Sequence, residues 1–239
     1  MGLDRLETAS FLRFNGTFQY LTGLPSFLGL QTLRRFLHHA PDSFLQQMHR
    51  VNDRLLQNLI HLPNHRSRLI FDLDSPVVTV FGRQEHAEIG YRGKKSDDPL
   101  LCIEANSSYL WDVELRSGNA GTWDGSVGLL ASCFVNLPPD IRELRVRADA
   151  GFGFHPVLEI LEARAVQYAV VARLTQAFKR WLPGLRYESV NRQWEMAEFE
   201  YRAHGWPQAR RFVVARRFIQ QEEAETTLFS MGRYVVVPG

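Results

Sequence analysis

An α/β protein, with an open sheet of short strands and packed helices, is what the sequence predicts, preceded by a helical segment and followed by a strand-rich tail. Three observations predict it. Residues 1 to about 66 repeat apolar side chains at spacings of three and four, the period of an amphipathic helix. Past residue 67, apolar runs of strand length alternate with helix-like stretches, as strand and crossover units do. From Leu185 the pattern is strands without helices. The 239 residues are 45% hydrophobic, enough for a sizeable core. The expected organisation is a helical segment over 1–66 and an α/β core over 67–239, within which 185–222 is a β-rich insertion.

In chain order, FLGLQTLRRFLHH repeats Leu30, Leu33 and Leu37 on one helical face. PDSFLQQMHRVNDRLLQNLI carries a stripe of Phe44, Met48, Val51, Leu55 and Leu59, and Ser43 with Gln46 forms a capping-box pattern at its start. RLIFDLD is a short apolar run ending in acids, as a buried strand does when its end opens onto a site. VVTVF and LLCIEA read as strands. WDVELR alternates Trp111, Val113 and Leu115 against Asp112, Glu114 and Arg116, a half-buried strand with the charges outward. WDGSVGLLASCFVN reads as a helix stopped by Pro138 and Pro139. RELRVRAD alternates again and ends in Asp149; FHPVLEILEARA places Pro156 in a first helical turn, and VQYAVVARL returns as a buried strand. RYESV, QWEMAEFEY, RRFVVARRFIQ and GRYVVV follow as strands.

Composition narrows the function classes. No apolar run approaches the roughly 18 residues that cross a bilayer, and MGLDRLETASF carries two acids before any apolar block, so neither a membrane span nor a secretory signal is expected. The expectation is an intracellular, cytoplasmic protein without a membrane partner. Cys102 and Cys133 sit in apolar contexts without CxxC spacing and read as core residues. The formal charge is only +2, yet of 28 basic residues all but Lys94, Lys95 and Lys179 are arginine, whose planar fork suits phosphate. A GC-rich genome gives the same composition. Between Ile141 and Phe218 fourteen basic residues face eight acids, which would suit a phosphate-bearing partner.

The acids carry the chemistry. In RVRADAGFGF, Asp149 closes an alternating run and meets a glycine-aromatic turn; Asp74 closes RLIFDLD in the same way. Functional groups of open α/β sheets gather beyond the carboxyl ends of neighbouring strands, so two such acids would converge. Converging carboxylates stay ionised only with a cation between them, and an oxygen-only site favours magnesium or manganese. That is the machinery of metal-dependent phosphoryl transfer. The plainer alternative is a pair of turn residues whose side chains bond local amides. Asp72 shares a strand face with Asp74, and periodicity alone leaves either as the metal ligand.

DLDSPVVTVFGRQEHAEIGY, HPVLEILEARAVQYAV and RADAGF together resemble bacterial insertion-sequence transposases of the DDE type, from about Phe71 to Tyr234. The resemblance implies an RNase H-like mixed sheet flanked by helices and a β-rich insertion before the last acid. It implies Asp74, directly before Ser75, as the first catalytic acid and Asp149 as the second, holding magnesium or manganese. It implies cleavage at the ends of a DNA element and attack of the freed 3′ hydroxyl on target DNA. DNA would be the partner, with a homodimer and a nucleoid-associated location as further expectations, and Arg210, Arg211, Arg216 and Arg217 as DNA-backbone contacts beside the alternative of a solvated face. Pro76 stands where the family has threonine, and the loop YRGKKSDDPL is shorter than its family equivalent. The family's third acid lies on a helix past the strand that GRYVVV begins, and the chain stops at Gly239. Glu222, Glu223 and Glu225 precede that strand. The expectation is therefore a truncated copy, weakly active or inactive; a silent DNA-binding remnant and a metal-dependent nuclease are the rivals.

Weaker motifs point to structure. Gly151 and Gly153 before a helix lack the remainder of a dinucleotide fingerprint. His61 and His65 straddle Pro63, which argues against a shared helical face for zinc. Trp111, Trp123, Trp181 and Trp194 read as core or strand-face aromatics.

Overall fold

Leu69, Phe71 and Leu73 alternate with Ile70, Asp72 and Asp74 along β1 (Arg68–Asp74), which gives this strand one buried apolar face and one more open face that carries both acids. The computed structural model that places it describes residues 6–41, 43–60, 67–82, 87–90, 92–121, 123–217 and 233–237. The chain divides into two compact units, Met1–Arg54 and Leu55–Gly239, the division falling inside a helix.

In the first unit a 3-10 turn (Leu6–Leu12) precedes α1 (Gly16–Thr22), α2 (Leu30–His38) and the greater part of α3 (Ser43–Ile60). Asn15 caps α1 by accepting a bond from the Phe18 amide, 2.9 Å. The two helices expected over FLGLQTLRRFLHH and PDSFLQQMHRVNDRLLQNLI are present. Their apolar stripes are not buried, however: Leu37, Met48, Val51 and Leu55 are each about half exposed.

The second unit is built on a nine-stranded sheet. After β1 come β2 (Val78–Thr79), β3 (Glu88–Ile89), β4 (Lys95–Asp97), β5 (Leu100–Glu104), β6 (Tyr109–Glu114), α4 (Ser126–Val135), β7 (Glu143–Ala148), α5 (His155–Glu162), β8 (Gln167–Val171), α6 (Gln176–Trp181), β9 (Glu188–Ser189), β10 (Trp194–Tyr201), β11 (Arg210–Arg217) and β12 (Arg233–Val237). The order across the sheet is β6-β5-β1-β7-β8-β12-β11-β10-β9. β1, β7 and β8 run parallel, whereas β5 and β6 on one side and β9 to β12 on the other are antiparallel. This is the mixed sheet with helices expected of an RNase H-like core, and the late strands extend it.

Parallel neighbours need a crossover, and α5 supplies the one between β7 and β8. Its start follows the sequence closely, with Phe154 as the extended residue before the helix and Pro156 in the first turn. Val157, Leu158 and Leu161 of α5 and Leu129, Leu130 and Cys133 of α4 close over Phe71, Val146, Tyr168 and Val170 in one continuous core. Burying side chains of this size contributes about 1.5–3 kcal/mol each. Trp111 packs on Phe71 with ring centroids 4.8 Å apart and donates to the Cys133 carbonyl at 3.1 Å.

Three sequence expectations are corrected. VVTVF forms a strand over only Val78–Thr79, in a small separate sheet ordered β2-β4-β3, to which the supposed loop YRGKKSDDPL also contributes β4. The alternation of WDVELR fails within the strand, where Asp112 is buried beside Trp111 next to a register shift against β5, and again past Glu114, where Leu115 is exposed and Arg116 is buried. Arg116 tolerates burial because its donors find the carbonyls of Asp98, Gly121 and Asp124. Trp123 and Trp181 are exposed, not core. Among the described residues no helix is long and apolar enough to cross a membrane.

Candidate active site at the carboxyl ends of two parallel strands

β1 and β7 are adjacent and parallel, and their register runs from Arg68 opposite Glu143 to Leu73 opposite Ala148. The next residue on each chain is Asp74 and Asp149. Two acids separated by 74 residues of chain thus stand abreast at the same edge of the sheet, both exposed to solvent. Strand alternation carried one step past β7 puts Asp149 on the face of Arg145 and Arg147, the face that β1 lines with Asp72 and Asp74.

Each of these acids also makes a local turn bond. The Ser75 amide donates to Asp74 Oδ1 at 2.8 Å, and the Gly151 amide donates to Asp149 Oδ1 at 2.8 Å. The turn-forming role and an outward-facing carboxylate are therefore compatible, since Oδ2 is the remaining oxygen in each case. The loop after Asp149 is tight. A Cβ on Gly153 would stand 3.2 Å from the Val171 carbonyl oxygen at the end of β8, so glycine lets the two strand ends approach.

The surroundings of β1 explain how its end is held. Ser75 Oγ donates to Asp98 Oδ1 and accepts from Arg116 Nη2 at 2.9 Å, while Arg116 and Asp98, both almost wholly buried, lie 3.5 Å apart. Sequence reading missed this network because it assigned Arg116 to the solvent side of a strand. Asp72 is also engaged. Arg147 sits directly opposite it in register and grips it with a fork, Nε to Oδ1 and Nη2 to Oδ2, each 2.6 Å. The hydrogen bond to Asp72, only partly opposed by desolvation, pushes the Arg147 guanidinium further up. At the neighbouring end of β8, Arg173 donates through Nε to the Ala150 carbonyl at 3.2 Å, beside Asp149.

Of the β11 arginines, Arg210 and Arg211 open the strand, while Arg216 and Arg217 close it at the same carboxyl end of the sheet as Asp74 and Asp149, three strands away from β7. Arg210 is 5% exposed, and its guanidinium is forked by Glu162 at 2.6 and 2.8 Å and stacks over Trp206 at 4.3 Å. That corrects the reading of Arg210 as a DNA contact: the side chain is consumed by an internal ion pair. Burial alone would raise the Glu162 carboxyl, but bonds from Arg210 and Tyr168 hold it below the usual carboxylate range. Burial and the same bond push the Tyr168 hydroxyl well up. Arg211 pairs with Glu198 at 2.7 and 2.9 Å, Arg216 pairs with Glu195 and lies 3.6 Å over the Tyr187 ring, and Arg217 closes the strand, exposed. A cleft of about 1020 Å³ lies between β7, β8 and the start of β11, lined by Arg145, Arg147, Tyr168 and Arg210; neither Asp74 nor Asp149 lines it.

A hard divalent cation suits two exposed carboxylates at one edge, because their oxygens are the donors magnesium and manganese prefer. Among the described residues no group of three or more His, Cys, Asp and Glu gathers to hold a metal. His61, His65, Glu222, Glu223 and Glu225 lie outside the described residues. Cys102 and Cys133 are buried thiols, and burial pushes Cys102 well up.

Residues 1–237 match the family model for the transposase DDE domain, group 1, and the chain belongs to that family. Among solved structures it is similar to the piggyBac transposase in a synaptic complex with hairpin DNA, at 13% identity and a TM-score of 0.42, over 92% of this chain and 42% of that one. The chain thus spans less than half the length of that relative. It is also similar to Endonuclease V of Ciona intestinalis in complex with inosine-containing DNA, at 9% identity and a TM-score of 0.26, over 83% of this chain and 84% of that one. No curated protein matches it significantly.

Proposed function

We propose that this chain carries the catalytic sheet of a DNA transposase, in which Asp74 and Asp149 hold a divalent ion for phosphodiester cleavage and strand transfer. The observation that carries this reading is the parallel register of β1 and β7, whose continuation past Leu73 and Ala148 brings the two acids abreast. The family's DDE domain supplies the class of reaction. Magnesium or manganese, when bound, supplies the positive charge against which negative charge builds at phosphorus in an in-line displacement.

The chain's own groups have assigned parts. Asp74 and Asp149 hold and orient; Ser75, locked by the buried Arg116 and Asp98, fixes where the end of β1 stands. Arg173, bonded to the Ala150 carbonyl next to Asp149, is a cation that a DNA phosphate could meet. Arg211, Arg216 and Arg217 would meet the backbone further along by exchanging intramolecular partners for phosphates. The partner is DNA, element ends and target, with the chain working as a homodimer in the bacterial cytoplasm at the nucleoid.

A second reading has its own support. With no third acid gathered at the edge among the described residues, a catalytically silent DNA-binding protein fits the same arginines. Incubation of element-end DNA with magnesium or manganese, wild type beside Asp149→Asn, separates the two. Metal-dependent nicking that the variant loses supports the transposase reading. Salt-sensitive binding without nicking in either protein supports the silent binder.

A further inference from the structure

We infer that Arg147 is a positioning residue for the metal-holding acids: its fork on Asp72 keeps a third carboxylate on the same face from drawing the ion away from Asp74 and Asp149. This rests on the proposed role of those two acids. Asp72 is two residues before Asp74 on one face of β1, and Arg147 is two residues before Asp149 on the neighbouring strand. The clamp is therefore one side-chain step below the pair, at about 7 Å by strand geometry. Asp72 opposes Arg147 directly in the register, so the two charges cancel across the strands.

Three features set this pair apart from an ordinary surface bridge. Both carboxylate oxygens of Asp72 are engaged at 2.6 Å by one guanidinium, whose charge offsets the pull that Asp72 would otherwise exert on a cation. It is the rung of the β1 and β7 ladder nearest the two acids on their own face, the other rung being Arg68 and Arg145 on Glu143 further down. And it supplies a cation of fixed charge, since a guanidinium does not lose its proton in a protein. Without it, Asp72, Asp74 and Asp149 would offer three carboxylates along one face, two of them on a single strand at the wrong spacing to share one ion well.

The charge bookkeeping makes opposite predictions for the two halves of the clamp. Removing Arg147 leaves an additional negative charge near the ion; removing Asp72 leaves an additional positive charge. Mn²⁺ binding to the free chain, read by electron paramagnetic resonance, needs neither DNA nor turnover. Arg147→Met should bind Mn²⁺ about three- to eightfold more tightly at low salt, from Coulomb's law in water with screening. Asp72→Asn should bind it more weakly by a similar factor, and the double variant should return to within about twofold of wild type. Nicking should fall about tenfold or more in Arg147→Met despite the tighter binding, the mark of an ion held in the wrong place. Arg147→Lys, which keeps the charge and loses the fork, should keep wild-type Mn²⁺ affinity and serves if the methionine variant fails to fold. Glu198→Gln, which breaks the exposed pair with Arg211, should leave Mn²⁺ binding unchanged.

The inference is overturned if both single variants leave Mn²⁺ affinity at the wild-type value, or shift it in the same direction, while only thermal stability falls; the clamp then merely joins two strands. If wild type and Asp149→Asn bind Mn²⁺ alike, the assignment of the two acids itself is wrong and the inference falls with it, a result distinguishable from the first.

Discussion

The sheet carries two ladders of arginine and acid, and they end differently. Along β1 and β7, Arg68 and Arg145 share Glu143 and Arg147 grips Asp72, but the ladder finishes on two acids side by side, Asp74 and Asp149. Along β10 and β11, Arg211 meets Glu198 on one face, and on the other face Arg216 meets Glu195 and Arg210 meets Glu162. The same residue types build both. What differs is charge balance at the end of the ladder: close to neutral in the second, locally negative in the first. Convergent negative charge is tolerable only where water or a cation offsets it, and the proposed ion site rests on that imbalance, whereas the balanced ladder is what strand pairing alone would select.

The largest effect that can break this contrast is catalytic. Asp74→Asn and Asp149→Asn should each lower metal-dependent nicking by on the order of 10³-fold or more, with melting temperature unchanged or slightly raised by relieved repulsion. Nicking that survives either change would remove the functional meaning of the first ladder's end. Next in size is the buried pair of the second. Glu162→Ala leaves the Arg210 guanidinium, 3% exposed, without its counter-charge and should cost about 3–5 kcal/mol in urea unfolding. A cost near zero would return Arg210 to the candidates for a surface contact.

A smaller effect is the pH dependence of stability. Glu162 and Glu104 both have carboxyls held below their ordinary value of 4.5; in Glu104 burial works against this, and bonds from Ser107, Asn106 and the Ile70 amide prevail. A carboxyl depressed in the folded state stabilises fully above its unfolded value and loses that contribution as pH falls through its folded one. Wild type should therefore lose stability as pH drops below about 4.5, and Glu104→Gln should flatten part of that slope in urea titrations taken at successive pH values. Smallest are the exposed forks. Arg211→Ala and Arg216→Ala should leave melting temperature within error, because exposed bridges contribute little. If these arginines exchange their acids for phosphates, each substitution should lower the salt slope of DNA binding by about one. An unchanged slope would confine them to strand pairing.

How much of this was legible beforehand varied with the kind of signal. The strand ends at Asp74 and Asp149 and the helix start at Pro156 could be read because each rests on local chemistry: alternation, a glycine turn, a fixed proline φ. Arg116 was misread because the alternation of WDVELR implies one more outward residue, and only the carbonyls of Asp98, Gly121 and Asp124 coming from other segments make its burial tolerable. Arg210 was misread for a related reason. In sequence it is one of two adjacent arginines, which strand alternation sends to opposite sides, and nothing local tells that Glu162 waits on one of them. The helical stripes of α2 and α3 show the converse, a period correctly read whose burial did not follow from it.

By itself the sequence determined the elements and the chemical type of the site: which segments alternate with period two, where acids close strands, and that the donors are oxygens. It determined these because a side chain's period and a turn's glycine are properties of a few neighbouring residues. Only the tertiary structure decided which acids stand together and which are spoken for. Pairing β1 with β7 in one register sets Asp74 beside Asp149 and, two residues lower, Arg147 against Asp72. A shift of that register by one residue would undo both, and no stretch of sequence shorter than the fold contains the information that fixes it.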